Sequence, residues 1–185
     1  MQNLTKGYNV AEAVQVLRNT PAVIENLLTY LDDDWVLSKE SPDSWSPKEI
    51  VAHLIHGELT DWIPRTKIIL ANEGQSLVPF EMEGHLPYLE SSLYDLLNRF
   101  KTLRAENLSA LVDLEISDAD LDRTAKHPAL GTVTLRNHLA AWVVHDLGHI
   151  AQISRVMAKQ YKSEVGPWTD FMAILHDRQT PSNNS

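Results

Sequence analysis

Apolar residues recur along this chain at three- and four-residue intervals, and alternating stretches are scarce, so the pattern is helical almost throughout. Val10, Val14 and Leu17 open it, and Ile24, Leu27, Leu28 and Leu31 continue it beyond Thr20-Pro21. The Thr-Pro pair reads as a cap followed by proline at the first helical position, which makes the two stretches one kinked helix or two consecutive ones. Asp32-Asp33-Asp34 reads as a solvated helix end. A stronger start follows at Ser46-Pro47-Lys48-Glu49: a serine cap, proline in the first turn, and glutamate three residues after the cap. That helix is predicted to reach about Asn72, with Pro64 kinking it near Thr60 and Asp61. Gly74 to Pro87 reads as a loop. Leu89 to Leu114 reads as a third long helix, with Leu93, Leu96, Leu97, Phe100, Leu103, Leu108 and Leu111 on its apolar side. After a turn at Ser117 to Leu121 and an irregular stretch from His127 to Gly131, Thr134 opens a last long helix to about Tyr161. Only Gly131-Thr132-Val133 reads as extended, and a short helix from Trp168 to His176 follows Gly166-Pro167. Four long amphipathic helices must bury their stripes against one another. The expectation is an all-α four-helix bundle with short additional helices, one domain over residues 1–178, and a disordered polar tail over 179–185.

Composition narrows the chemistry. The 185 residues include no cysteine, which excludes a disulfide framework, a thiolate zinc site, an iron–sulfur cluster and a cysteine nucleophile. With 16 Lys+Arg against 25 Asp+Glu the formal charge is −9, which argues against binding nucleic acid through its phosphates. No apolar run approaches the roughly 18 residues of a spanning helix, and Met1 to Asn9 carries no apolar signal core. A soluble, cytoplasmic protein without a membrane partner is the expectation. Eight histidines are more than such a chain needs, and their placement is informative.

Successive helical residues turn by about 100°. With Ile50 at zero, His53 falls about 60° away on the margin of the buried face, and His56 about 120° away, toward solvent. Asp61 falls within about 20° of the apolar centre, an odd place for a carboxylate without a partner. On the last long helix, with Leu135 at zero, His149 lies at about −40°, His145 at about −80° and Asp146 at about 20°. His145 and His149 are separated by about 6 Å of rise, a spacing that lets two imidazoles reach one ion. His138 lies on the same side but about 10 Å below His145, too far for the same centre. Three inward histidines from two helices would make an open set of nitrogen ligands, suited to Zn, Ni or Fe(II). A cation so held acidifies water or polarises a substrate atom. Asp146 and Asp61 are the candidate catalytic groups, either accepting from a ligand ring N–H or contacting substrate. The competing reading is that all these histidines are satisfied polar residues at the edge of the core. His56, His85, His127, His138 and His176 are read that way. His127, before proline, supports its loop, Trp45 packs as a staple ahead of the cap, and Trp142 is core.

Trp45-Ser46-Pro47-Lys48-Glu49-Ile50-Val51-Ala52-His53-Leu54 resembles the Trp…His-Leu opening of the second helix in the DinB-like (DinB/YfiT-like) superfamily. The run from Thr134 to Ile153, with His145-Asp146-Leu147-Gly148-His149 inside it, resembles that family's His-x-x-x-His helix. Gly166-Pro167-Trp168 resembles a frequent ending. The resemblance covers about Val10 to Leu175. It implies a four-helix bundle with a non-sequential connection, often a homodimer, and a divalent metal on His53, His145 and His149. Its characterised members include bacillithiol-using thiol-S-transferases, a mycothiol-dependent maleylpyruvate isomerase and the metal module of ergothioneine-type sulfoxide synthases. Those synthases carry His-x-x-x-His-x-Glu; Ala151 stands at the last position here, which sets their C–S bond-forming chemistry aside. The resemblance implies a metal-dependent transferase acting on a small molecule with a low-molecular-weight thiol as co-substrate. Arg65 and Arg136 are the candidate contacts for the thiol's carboxylates. A hydrolase with the same ligands is one alternative, and a non-catalytic metal-binding interaction module is another.

Overall fold

The structure, a computed structural model, describes residues 7–71 and 74–176, so the tail expected over 179–185 lies outside the described residues. Helices α1 (Val10–Leu28), α2 (Asp33–Val36), α3 (Pro47–Thr60), α4 (Trp62–Ala71), α5 (Leu93–Asp113) and α6 (Leu135–Lys159) form the frame. Helix α1 starts at Asn9, whose Oδ1 accepts the Glu12 N–H at 3.1 Å, and it runs through Pro21 unbroken. Thr20 is therefore no cap. It is buried in mid-helix, because proline deletes only one rung of the ladder and leaves the Leu17 carbonyl without its usual donor. The Ser46 capping box forms as the sequence predicts, and the expected kink falls at Asp61, where α3 ends and α4 begins.

Helix α1 packs on α5 and α6, and α3 packs on the same two. So α1 and α3 stand diagonally, as do α5 and α6, and the chain crosses a diagonal twice. Helix α4 leaves the axis of α3 and lies against α6. The apolar interior falls into two clusters. One gathers around Leu17, Trp62 and Trp142, the other around Leu54, Phe100 and Ile153. Between them sits Arg104, with its guanidinium carbon 5.0 Å from the Phe100 ring and 5.2 Å from the Trp142 ring. All five of its N–H donors are used: on Glu58 Oε1 (3.1 and 2.7 Å), on Asp146 (2.6 and 3.2 Å), and on the Leu17 carbonyl that Pro21 left open (2.8 Å). One side chain of α5 thus ties α1, α3 and α6. Burial works against its charge, but Asp146 and Glu58 outweigh burial and raise its pKa.

The stretch from His127 to Gly131, expected to be irregular, closes a hairpin. Strands β1 (Thr124–His127) and β2 (Gly131–Thr134) pair antiparallel, with His127 opposite Gly131. The Ala129 and Leu130 N–H groups both donate to His127 Nδ1 at 3.2 Å, and Gly131 takes a φ of 73° that favours glycine. Strand β2 runs straight into α6 through the Thr134 cap. On the other edge, Leu77 N–H donates to the Lys126 carbonyl and Lys126 N–H to that of Gln75, both at 2.8 Å. This anchors the segment after α4, which then crosses α3. His56, expected in solvent, is buried beneath that segment: the Phe80 ring lies 4.9 Å away, and a Cβ on Gly84 would sit 2.3 Å from its Nε2. The wheel reading failed there because α3 is covered on two sides, and every residue from Ile50 to Glu58 is buried. The C-terminal helix expected from Trp168 is instead a pair of 3₁₀ turns, Gly166–Phe171 and Ala173–Leu175. Among the described residues no helix is long and apolar enough to cross a membrane.

Candidate metal centre

His53 projects from the middle of α3, and His145 and His149 from successive turns of α6. His53 Nε2 lies 3.1 Å from His145 Nε2, and His149 Nε2 lies 3.0 Å from it. Nitrogens on a common cation at about 2.05 Å stand about 3.3 Å apart in a tetrahedral site and about 2.9 Å apart in an octahedral one. The observed separations fall between those values. Among the described residues, this is the one group of three or more histidine and carboxylate side chains whose donor atoms gather so closely, all within 4.8 Å.

The surroundings prepare the rings for ligation. His149 Nδ1–H donates to Gln152 Oε1 at 2.9 Å, which leaves the lone pair on Nε2. Trp45, held at the mouth of α3 by the capping box, packs on His53 at 4.6 Å and stacks toward His149 at 6.2 Å. Burial, and then the facing imidazoles, push His53 down to about 2. Burial, and then His145, push His149 down to about 4. Burial also lowers His56 and His138. These rings stay neutral in the folded chain where an unfolded one, near 6.5, would take up protons. Stability of the metal-free protein is therefore full above pH 6.5 and falls as the pH drops below it. His53 and His149 would each contribute about 1.4 kcal/mol per pH unit until its own folded value is reached. Thermal melts of chelator-treated protein should be flat from pH 8 to 7 and fall steeply from 6.5 to 4.5; a melting point that holds to pH 5 contradicts this.

The three rings border a cleft of about 390 Å³ whose other walls are Trp45, Gly57, Asp61, Trp62, Arg65, Phe80, Met82 and His127. A second depression of about 390 Å³ reaches His145 and His149 past Gly148, Gln152 and Arg155. Asp61 lines the first cleft. Its Oδ1 lies 2.6 Å from Arg65 Nε, yet the N–H does not point at it, so the oxygen is buried without a hydrogen bond. Arg65 also lines the cleft but is held, through Nη2, on the Val78 carbonyl at 2.8 Å. Asp146 does not reach the cleft. It is fully buried behind His145, with Oδ1 3.9 Å from His145 Nδ1. Burial alone would raise its carboxyl, but His145 and the Arg104 guanidinium hold it below its ordinary value. Arg136 is remote from the cleft and pairs with Asp122 at 3.2 Å. His138 Nε2–H donates to the Trp62 carbonyl at 3.0 Å, pinning α6 to the first turn of α4, as the structural reading expects. His127 is at once a turn support and a cleft wall: with Nδ1 accepting two backbone N–H groups, its proton sits on Nε2.

The sequence reading missed Arg104, Glu58, His85 and the loop residues Phe80 and Met82. For Arg104 a signal existed, since it occupies the core register of α5 between Phe100 and Leu108.

A family model of the DinB superfamily matches residues 16–153. A proposed metal-dependent hydrolase of Oceanobacillus iheyensis is 21% identical over 158 residues, covering 82% of this chain and 87% of that protein. The proposed metal-dependent hydrolase YfiT of Bacillus subtilis is 24% identical over 146 residues, covering 77% of this chain and 81% of its own. The solved structure of YfiT, described as a candidate metal-dependent hydrolase with an unusual four-helix bundle topology, superposes with a TM-score of 0.70 at 22% identity. It covers 86% of this chain and 91% of its own. The likeness shows a shared fold, and the family match, which spans both His53 and the His145–His149 pair, leads to one conclusion: the chain belongs to the DinB superfamily.

Proposed function

We propose that this protein is a metal-dependent hydrolase of a small molecule, with His53, His145 and His149 as the ligands of one divalent cation. The observation that carries the reading is the convergence of three histidines at the wall of an open cleft, with His145 Nε2 3.1 Å from that of His53 and 3.0 Å from that of His149 and all three donor atoms within 4.8 Å. Three protein ligands beside an open cleft suit catalysis, whereas a structural site is closed by a fourth. A zinc, nickel or iron(II) ion there supplies a Lewis acid for water or for a carbonyl or phosphoryl oxygen. The chain's own groups do the rest. Asp61, on the cleft wall with its buried Oδ1 2.6 Å from Arg65 Nε, is the carboxylate we assign to take a proton from water entering beside the imidazoles. His127 presents its Nε2–H as a donor to a substrate oxygen. Trp45, Trp62, Phe80 and Met82 give apolar walls that keep bulk water out.

Thiol transfer would need a free cation for the thiol's carboxylates. Arg65 is already engaged by Asp61 and Val78, and Arg136 lies elsewhere, so hydrolysis is the better supported activity. The test is metal content by mass spectrometry, followed by a panel of esters, amides and phosphoesters assayed with and without a low-molecular-weight thiol. One equivalent of metal and turnover in water alone is the expected result. Turnover only when thiol and an electrophile are both present would replace hydrolase by thiol-S-transferase, and metal without any turnover would leave a binding module.

A further inference from the structure

A ligating imidazole gives one nitrogen to the cation and needs an acceptor for the N–H on the other. His149 has Gln152 at 2.9 Å for this purpose; His145 Nδ1 is buried without a hydrogen bond, with the Asp146 carboxylate 3.9 Å behind it. His53 has no such partner: its Nδ1 is buried and unbonded.

A complement is offered by His85, which comes from the segment that crosses α3. It is 3% exposed and does not line the cleft. Its Nδ1–H donates to the Met82 carbonyl at 3.0 Å, so its Nε2 carries the lone pair, and this nitrogen too is buried and unbonded. The His53 and His85 rings stand 6.2 Å apart, nearly perpendicular at 84°. Two imidazoles joined by an N–H···N bond of about 2.9 Å have centres about 5.2 Å apart, so a closure of about 1 Å, or one bridging water, completes the link. Trp45 packs on both rings, at 4.6 Å from His53 and 5.0 Å from His85, and seals this corner. A buried donor without an acceptor and a buried acceptor without a donor thus lie on neighbouring rings.

We propose that His85 is the positioning residue for His53: its Nε2 accepts the His53 Nδ1–H, directly or through one water, when a divalent cation occupies the three-histidine site. The proposal rests on the ligand set above. It makes the loop segment part of the metal site, because the grip on His53 then depends on where residues 82–85 lie.

The test compares wild-type protein with His85→Leu and His85→Gln, using zinc alone as the probe in competition with a chromophoric chelator. His85→Leu should bind zinc about 10–100-fold more weakly. His85→Gln, which returns an acceptor oxygen near the place of Nε2, should recover most of that loss, while the metal-free melting points of the two variants agree. In the zinc-loaded wild type, nitrogen NMR should show the His53 Nδ1 proton hydrogen-bonded and slow to exchange, and fast in His85→Leu. Unchanged zinc affinity in His85→Leu, or no recovery in His85→Gln, overturns the proposal. So does a cobalt(II) spectrum in which His85→Leu deletes a nitrogen ligand, since His85 would then be a ligand itself. Wild-type protein that binds no zinc fails at the earlier step and removes the ligand set together with this inference.

Discussion

Arg104→Leu is expected to cost about 3–5 kcal/mol of folding stability, enough to threaten the fold of a domain this size. The guanidinium is 1% exposed and all five of its donors are bonded. Removing it leaves the Glu58 and Asp146 carboxylates facing each other in a medium of low dielectric, together with a proline-orphaned carbonyl at Leu17. Arg104→Lys keeps the charge but supplies three donors instead of five and cannot fork between two carboxylates, so it should recover only part of the loss. Replacing the whole group at once, Arg104→Leu with Glu58→Leu and Asp146→Leu, should be less damaging than the single change, because no buried charge is then left alone. Denaturant unfolding of the three variants measures this. A single-variant loss under 1 kcal/mol would show that the network is neutral or hydrated in solution.

His145→Ala is expected to abolish stoichiometric metal binding, lowering affinity by more than the roughly 100-fold that loss of an outer partner alone can cost. His145 is the middle member of the trio, within 3.1 Å of His53 Nε2 and 3.0 Å of His149 Nε2. Without it, two nitrogens remain, one on each helix, and neither keeps the neighbour that lies within 3.1 Å of both. The metal-free protein should lose no more than about 1 kcal/mol, since the deleted ring is partly exposed and its crowding against two other imidazoles goes with it. Zinc or nickel titration followed by calorimetry checks the first half, and thermal melts in chelator check the second. Full metal occupancy in His145→Ala would mean that the cation lies elsewhere.

The bundle was legible because long helices repeat their apolar register many times, and the Ser46 capping box and Pro64 mark a start and a bend. The inward side of His53, His145 and His149 followed from the same register. Their approach to one point did not, because the meeting of α3 with α6 is a tertiary fact that no single helix encodes. Strands of four residues are too short to show alternation, so β1 went unread and β2 was seen only as an extended Gly131-Thr132-Val133. His56 was misplaced because its cover comes from a loop, and helical periodicity describes only the side facing other helices. Asp146 was rightly turned inward, but its partner lies across the diagonal on α5. Arg104 held a core position in an apolar stripe, and a charged residue there should have prompted a search for buried acids.

The imidazoles are set on helices locked by a buried arginine, whereas Phe80 and Met82 stand on the segment after α4 and His127 at the hairpin turn. Substitution in residues 78–81 or in the hairpin tip can therefore reshape what the mouth admits while residues 82–85 keep their hold beside His53. A scaffold arranged this way leaves the choice of guest free to vary while the frame that sets the three imidazoles stays fixed.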